Sequence, residues 1–120
     1  MRKQSVISIL RELNASSEDI EASALISMDG LLLASLLPAE FEQDRVAAMS
    51  AAMLALGSQA TMELNRGALD QILIQGQRGH VLLTRASAKA VLVVITRPEA
   101  RLGTTFLDVR RGAEALSKAI

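Results

Sequence analysis

Cysteine is missing altogether, and with it go disulfides, thiolate chemistry and every metal site built on thiolate ligands. Tryptophan and tyrosine are absent as well, so Phe41 and Phe106 make up the whole aromatic inventory. That leaves no platform on which the bases of a single strand could stack. An excess of charge is also lacking. With 13 basic and 13 acidic residues the formal net charge is +0, and no long-range field favours a phosphate backbone or an anionic membrane surface. Nucleic acid is therefore not expected as a partner, and neither is direct membrane insertion, because no stretch reaches the roughly 20 apolar residues of a span. Met1-Arg2-Lys3 ahead of Ser5–Leu10 has the outline of a secretory signal, but the apolar run is short and Arg11 and Glu12 interrupt it. An intracellular, cytoplasmic chain is the expectation.

Motifs for small-molecule chemistry are equally scarce. There is no GxxxxGK[ST] phosphate loop and no GxGxxG turn, so nucleotide binding by this chain has no motif behind it. His80 is the only histidine and stands in a strand pattern without a second histidine nearby, which favours a structural or solvent-exposed role over metal or triad chemistry. Gly76-Gln77-Arg78-Gly79 has the bare GXXG of a KH loop, but it joins strand patterns rather than helices and reads as a hairpin turn. Asp29-Gly30 lacks the preceding ligands and closing Glu of a calcium loop. Glu18-Asp19 and Glu40/Glu42 fall where solvated or capping carboxylates are common. Arg110-Arg111 belongs to the polar side of the last helix. No catalytic residue, cofactor or metal is expected.

What the chain does have is apolar pattern. Its 120 residues, 50% of them hydrophobic, suit one domain spanning 1–120 with one core. Residues 3–14 read as an amphipathic helix with Val6, Ile9, Leu10 and Leu13 on one face. Ala22–Met28 and Leu31–Leu36 flank Asp29-Gly30, the signature of a type I′ hairpin, which would set Met28 opposite Leu31, Ile26 opposite Leu33 and Leu25 opposite Ala34. Both faces of that hairpin carry apolar side chains and need cover. After Pro38, strands follow at Gln71–Gln75, His80–Thr84 and Ala90–Ile95, the last a continuous β-branched run suited to the middle of a sheet covered on both faces. Leu102, Phe106, Val109, Ala113, Leu116 and Ile120 then give a helix with one apolar stripe. The order is α-β-β-α-β-β-β-α, an antiparallel-rich α/β sandwich.

The segment from Glu42 to Arg66 is the most unusual part. Its pattern is helical, ending near Asn65-Arg66-Gly67, yet no charged residue stands between Arg45 and Glu63. At about 100° per residue, Val46, Met49, Met53, Leu56, Ala60 and Leu64 fall on one stripe, expected to lie on the chain's own sheet. Ala48, Ala51, Ala52, Ala55 and Met62 cover the other side, where a surface helix would carry charge. Small side chains there permit close helix approach, so a second copy is the expected cover.

The sequence resembles the Roadblock/LC7 domain family, which includes bacterial gliding regulators of the MglB type and eukaryotic dynein light chains. The resemblance runs through Ala24-Leu25-Ile26-Ser27-Met28-Asp29-Gly30-Leu31-Leu32-Leu33-Ala34-Ser35, Gly79-His80-Val81-Leu82-Leu83, Ala90-Val91-Leu92-Val93-Val94-Ile95, and Ala100-Arg101-Leu102-Gly103 leading into Leu107–Leu116. It implies a profilin-like sandwich, a five-stranded antiparallel sheet with the long helix on one face and the terminal helices on the other. It also implies a homodimer with paired long helices and third strands meeting edge to edge. The expected seam takes in Ala48, Ala51, Ala52, Ala55, Gln59, Met62, Gln71, Leu73 and Gln75. The function implied is non-enzymatic: a homodimeric regulator or scaffold that binds a small Ras-like GTPase and modulates its nucleotide state or localisation. Arg45, Arg66, Arg78, Arg85 and Arg97 are available as trans-acting arginines, with nothing in their spacing to single one out. An adaptor that links motor or signalling components without sensing nucleotide would use the same dimer, and a small-molecule sensor or enzyme would need a polar-lined pocket.

Overall fold

A computed structural model describes residues 2–120, leaving Met1, the first residue of the signal-like stretch, outside. Five strands form one antiparallel sheet: β1 (Ile20–Ser27), β2 (Leu32–Leu36), β3 (Gln71–Gly76), β4 (Gly79–Arg85) and β5 (Ala90–Thr96), in spatial order β2-β1-β5-β4-β3. Three helices complete it: α1 (Lys3–Ser16), α2 (Gln43–Glu63) and α3 (Leu102–Ala119). Element order and architecture match the expectation.

The centre of the sheet explains the layering. β5 reads Ala-Val-Leu-Val-Val-Ile-Thr and pairs with both β1 and β4, so its alternate side chains must be covered on two faces. Leu92 and Val94 point into a cluster with Val6, Leu10, Leu13, Val109, Ala113 and Leu116 of α1 and α3. Val91 and Val93 point the other way, with Ala24, Ile26 and Leu83, against Val46, Ala47 and Leu54 of α2. The expected single core is thus two half-cores divided by the sheet.

A polar latch fastens the two chain segments that enter this sandwich. The Asp19 carboxylate, 8% exposed, accepts the Arg101 backbone N–H at 3.1 Å where α3 begins. It thereby satisfies a donor that the helix's own first turn cannot, which is a capping role supplied from a distant part of the chain. Arg97, just past β5, donates from Nη1 to the Ile20 carbonyl at 2.8 Å and to that of Glu18.

Two turns differ in instructive ways. The β1–β2 connection is a three-residue loop rather than a type I′ turn. Gly30 N–H donates to the Ser27 carbonyl at 3.1 Å, Ser27 N–H donates to the Leu31 carbonyl at 2.8 Å, and Gly30 alone in the loop has positive φ, +93°. That is a type I turn closed by a left-handed glycine, a geometry that needs no positive φ at Asp29. Ser27 Oγ donates to the Asp29 carboxylate and accepts the Leu31 N–H at 2.9 Å, which favours the longer loop. The register shifts in consequence. Leu25 pairs with Ala34 as expected, but Ile26 pairs with Leu32 instead of Leu33.

At the β3–β4 turn the GXXG is a two-residue hairpin, with Gly76 paired to Gly79. Gly79 has φ +127°, and a Cβ there would lie 2.5 Å from the Thr96 carbonyl oxygen. Gly67 also has positive φ, +81°, but no atom within 4 Å of a would-be Cβ. Gly67→Ala should therefore cost only the left-handed penalty of about 1–2 kcal/mol. Gly79→Ala adds a clash with backbone that cannot yield, and urea denaturation should find it the more destabilising of the two.

Candidate interaction surface

The rotation of α2 corrects the first expectation about it. The residues on the sheet are Val46, Ala47, Ser50 and Leu54, while Met49, Leu56 and Leu64 of the expected inner stripe are 52%, 70% and 69% exposed. Only Val46 and, in part, Met53 of that stripe pack inward. The inward face is narrow because it is small. Gly57 faces β3 so closely that a Cβ would come within 3.0 Å of Ile72 Cδ1 and 3.2 Å of Leu69 Cδ2. A helix seated this low has room for Ala47, Ser50 and Gly57 beside Val46 and Leu54, and Met49, Leu56 and Met62 are left facing outward.

Two contacts fix which flank looks where. Gly57 meets Ile72 and Leu69, on the β3 side, and Ala51 meets Gly30 at the tip of the β1–β2 hairpin. At about 100° per residue, the flank carrying Met49, Met53, Leu56 and Ala60 then faces the β3 edge. The flank with Ala48, Ala51, Ala55 and Met62 faces the hairpin side, and Ala52 and Gln59 crown the helix. Of the residues expected at a seam, Ala48, Ala52, Ala55, Gln59 and Met62 are exposed, whereas Ala51 is half-buried under Gly30. The helix ends in a Schellman arrangement with Asn65 at φ +56°, Arg66 N–H donating to the Thr61 carbonyl at 2.6 Å and Asn65 N–H to that of Met62 at 3.2 Å. Asparagine takes the left-handed position next to the helix, two residues before Gly67.

β3 forms one free edge of the sheet and β2 the other. The two are treated differently. β2 carries a bulge, is followed by Pro38, and has its Leu36 carbonyl bonded by Asn14 Nδ2 at 3.4 Å, all devices that blunt an edge. β3 holds an unbroken register against β4 from Gln71 to Gly76 and carries no Lys or Pro. Its hydrogen-bond phase follows from Arg85 N–H donating to the Asp70 carbonyl at 3.0 Å. Asp70, Ile72, Ile74 and Gly76 turn their backbone groups toward β4, so Gln71, Leu73 and Gln75 turn theirs to the open edge. These are the three strand residues expected at a seam. Leu73 is 38% and Ile74 39% exposed.

The charged candidates are dispersed. Arg97 is engaged in the latch, Arg45 sits 3.8 Å from Glu42 on the surface, and Arg111 is 4.0 Å from Asp108. His80 is half-buried in β4, with its backbone N–H donating to Thr96 Oγ1 at 2.9 Å. Between α3 and the β3–β4 edge lies an open groove of about 610 Å³ lined by Asp70, Gln71, Thr84, Arg85, Arg110 and Glu114, among others. It mixes both signs of charge with the hydroxyls of Thr84, Ser87 and Ser117. Among the described residues there is no cluster of three or more His, Asp or Glu suited to a metal ion, and no helix is long and apolar enough to cross a membrane.

Comparison with known proteins bears on this surface. A family model described as Roadblock/LC7 domain matches residues 7–96. The chain belongs to that family. The uncharacterized protein MJ1340 of Methanocaldococcus jannaschii is 33% identical over 108 residues, covering 90% of this chain and 93% of that protein. Among solved structures, the gliding protein MglB from Thermus thermophilus superposes with a TM-score of 0.84 at 23% identity, covering 96% of this chain and 87% of that one. Myxococcus xanthus MglB superposes with a TM-score of 0.91 at 17% identity, covering 98% of this chain and 89% of that one. At those identities the likeness is one of fold.

The rotation of α2 has a direct consequence for stability. Leu54, 4% exposed, and Leu56, 70% exposed, stand two residues apart on one helix. Leu54→Ala should cost about 2–5 kcal/mol at every protein concentration, as cavities do. Leu56→Ala should leave the chain's own stability within about 0.5 kcal/mol, measured by denaturation at high dilution.

Proposed function

We propose that this protein is a non-enzymatic, homodimeric platform, formed by the whole chain as one unit, that binds a small Ras-like GTPase in the cytoplasm and modulates its nucleotide state or location. The observation that carries the reading is an exposed face of α2, free of charge between Arg45 and Glu63, lying beside an unblunted β3 edge in a chain of the Roadblock/LC7 family. Apolar helix surface and unmatched backbone groups side by side call for a second copy more than for a small ligand.

Pairing two β3 edges antiparallel, about a two-fold perpendicular to the sheet, puts both α2 helices on the same face. It also turns their β3-side flanks toward one another. Met49, Leu56 and Ala60 then join Gln71, Leu73 and Gln75 in the seam. Ala48, Ala51, Ala52, Ala55, Gln59 and Met62, expected at the seam from sequence, fall instead on the crown and the far flank, where a partner would dock. A platform of this kind acts on a GTPase only by binding one arrangement of its switch segments more tightly than the other. It has no need of a catalytic group of its own. An adaptor linking motor or signalling components would use the same dimer with equal affinity for both nucleotide states.

Paired charge insertions separate the two flanks. Leu56→Arg should convert the dimer to monomer in light scattering after size exclusion, because a buried unpaired guanidinium is strongly unfavourable. Ala55→Arg should remain dimeric and lose the GTPase. Should Ala55→Arg dissociate the dimer and Leu56→Arg not, the seam is the alanine flank. Capture of partners from lysate loaded with GDP or with a GTP analogue tests the function itself. Recovery of a small GTPase in only one condition supports the regulator, and identical partners in both indicate the adaptor.

A further inference from the structure

The open edge of β3 carries a pattern with its own symmetry. Gln71-Ile72-Leu73-Ile74-Gln75 reads the same in both directions about Leu73. In an antiparallel pairing of identical strands, residue positions on opposite sides of the two-fold are partners, so a palindromic strand can lie against its copy with every side chain opposite its own kind. We propose that two copies of this chain join in one register, centred on Leu73, with Leu73 opposite Leu73, Gln71 opposite Gln75, and Ile72 opposite Ile74. This rests on the β3 seam proposed above and specifies what that reading leaves open.

Three independent features select this register from its neighbours. The first is hydrogen bonding. Gln71, Leu73 and Gln75 present their backbone groups outward, one N–H and one C=O each. Centred on Leu73, all three donors and all three acceptors of each strand meet partners, giving six bonds across the axis. Centred on Ile72 or Ile74, only two of the three outward residues pair within the strand, giving four, and a glutamine is left over at each end. Each such bond contributes modestly but the contributions add along the ladder, so a difference of two bonds favours the Leu73-centred register.

The second feature is side-chain complementarity. Residues directly opposite one another in an antiparallel pair share a face and interact. Gln71 and Gln75 both carry an amide with donor and acceptor, so glutamine opposite glutamine can bond in either sense, where like charges would repel. The third is packing on each face. Leu73 aligns with Leu82 of β4 on the α1/α3 side, and Ile72 aligns with Leu83 on the α2 side. Pairing Ile72 with Ile74 therefore continues the α2-side apolar layer across the axis, beneath the flank that carries Leu56. Leu73 with its copy closes the opposite face, where no helix covers β3.

The absence of native cysteine makes the register directly readable. Purified Leu73→Cys, Ile72→Cys and Ile74→Cys, each first confirmed as a folded dimer by circular dichroism and light scattering, are oxidised with copper phenanthroline and followed on non-reducing gels. In the Leu73-centred register the two introduced thiols at position 73 sit on Cα atoms about 5.5 Å apart, within disulfide reach. At positions 72 and 74 each copy is displaced by two residues from its mate, about 8 Å, beyond it. The Leu73→Cys dimer should crosslink at least about tenfold faster than the other two. Fastest crosslinking at position 72 or 74 overturns this register while leaving β3 as the seam. Light-scattering dimers that crosslink at none of the three positions overturn this register too.

Discussion

The need to cover β5 on both faces governs this molecule. A strand of alternating large apolar residues at the middle of a sheet requires an apolar layer above and another below, and the chain has three helices to supply them. α1 and α3 share one face, where Leu10, Leu13, Val109 and Leu116 fill the space with bulky side chains. α2 has the other face to itself. It meets that task by proximity, setting Ala47, Ser50 and Gly57 beside Val46 and Leu54 against the sheet, which leaves Met49, Leu56 and Met62 outward together with Ala48, Ala52 and Ala55.

That seating links packing to the surface left outside. On an ordinary amphipathic helix the apolar moment is consumed by the core and the outer face is charged. Here the outer face from Ala48 to Met62 is free of charge, and the strand nearest one flank of the helix is the edge without bulge, proline or lysine. The opposite edge of the same sheet has those protections, with Asn14 bonded to Leu36, the register shift at Ile26, and Pro38 beyond. A chain that blunts one edge and leaves the other open offers a single edge for further strand pairing.

Much of this architecture is legible in the sequence. Periodicity places all eight elements and finds β5 as the central strand, because its β-branched run and the 3.6-residue stripe of α3 are strong local patterns. The strand at Gln71–Gln75 is legible for the same reason, whereas its place at an edge is what the family resemblance implies and the strand order bears out. What escapes is whatever the local pattern does not encode. The rotation of α2 is one such case, because a helix with no charge between Arg45 and Glu63 has no polar face to set its phase, and the close seating of Ala47, Ser50 and Gly57 on the sheet decides it. The Asp-Gly dipeptide serves both a two-residue and a three-residue hairpin, so Ser27, whose hydroxyl closes the longer loop, settles the register. The latch of Asp19 and Arg97 joins residues far apart in sequence and leaves no trace in spacing.

A symmetric seam imposes a rule on anything that docks over it. A partner without internal symmetry that sits on the two-fold excludes a second copy of itself, whereas one that sits off the axis can bind twice. In the proposed dimer the crown and far flank of α2, with Ala48, Ala52 and Ala55, would lie off that axis, and the exposed Leu31 at the hairpin tip adds apolar surface near the same side, next to the approach of Gly30 to Ala51. Those alanines present little side-chain entropy to lose and no charge to desolvate, so a partner's own side chains supply the specificity. In such an arrangement the platform contributes shape and the partner contributes chemistry. Under the proposed GTPase reading, nucleotide dependence would enter through the partner's conformational states, and the platform would bias them only by the difference between its affinities for the two.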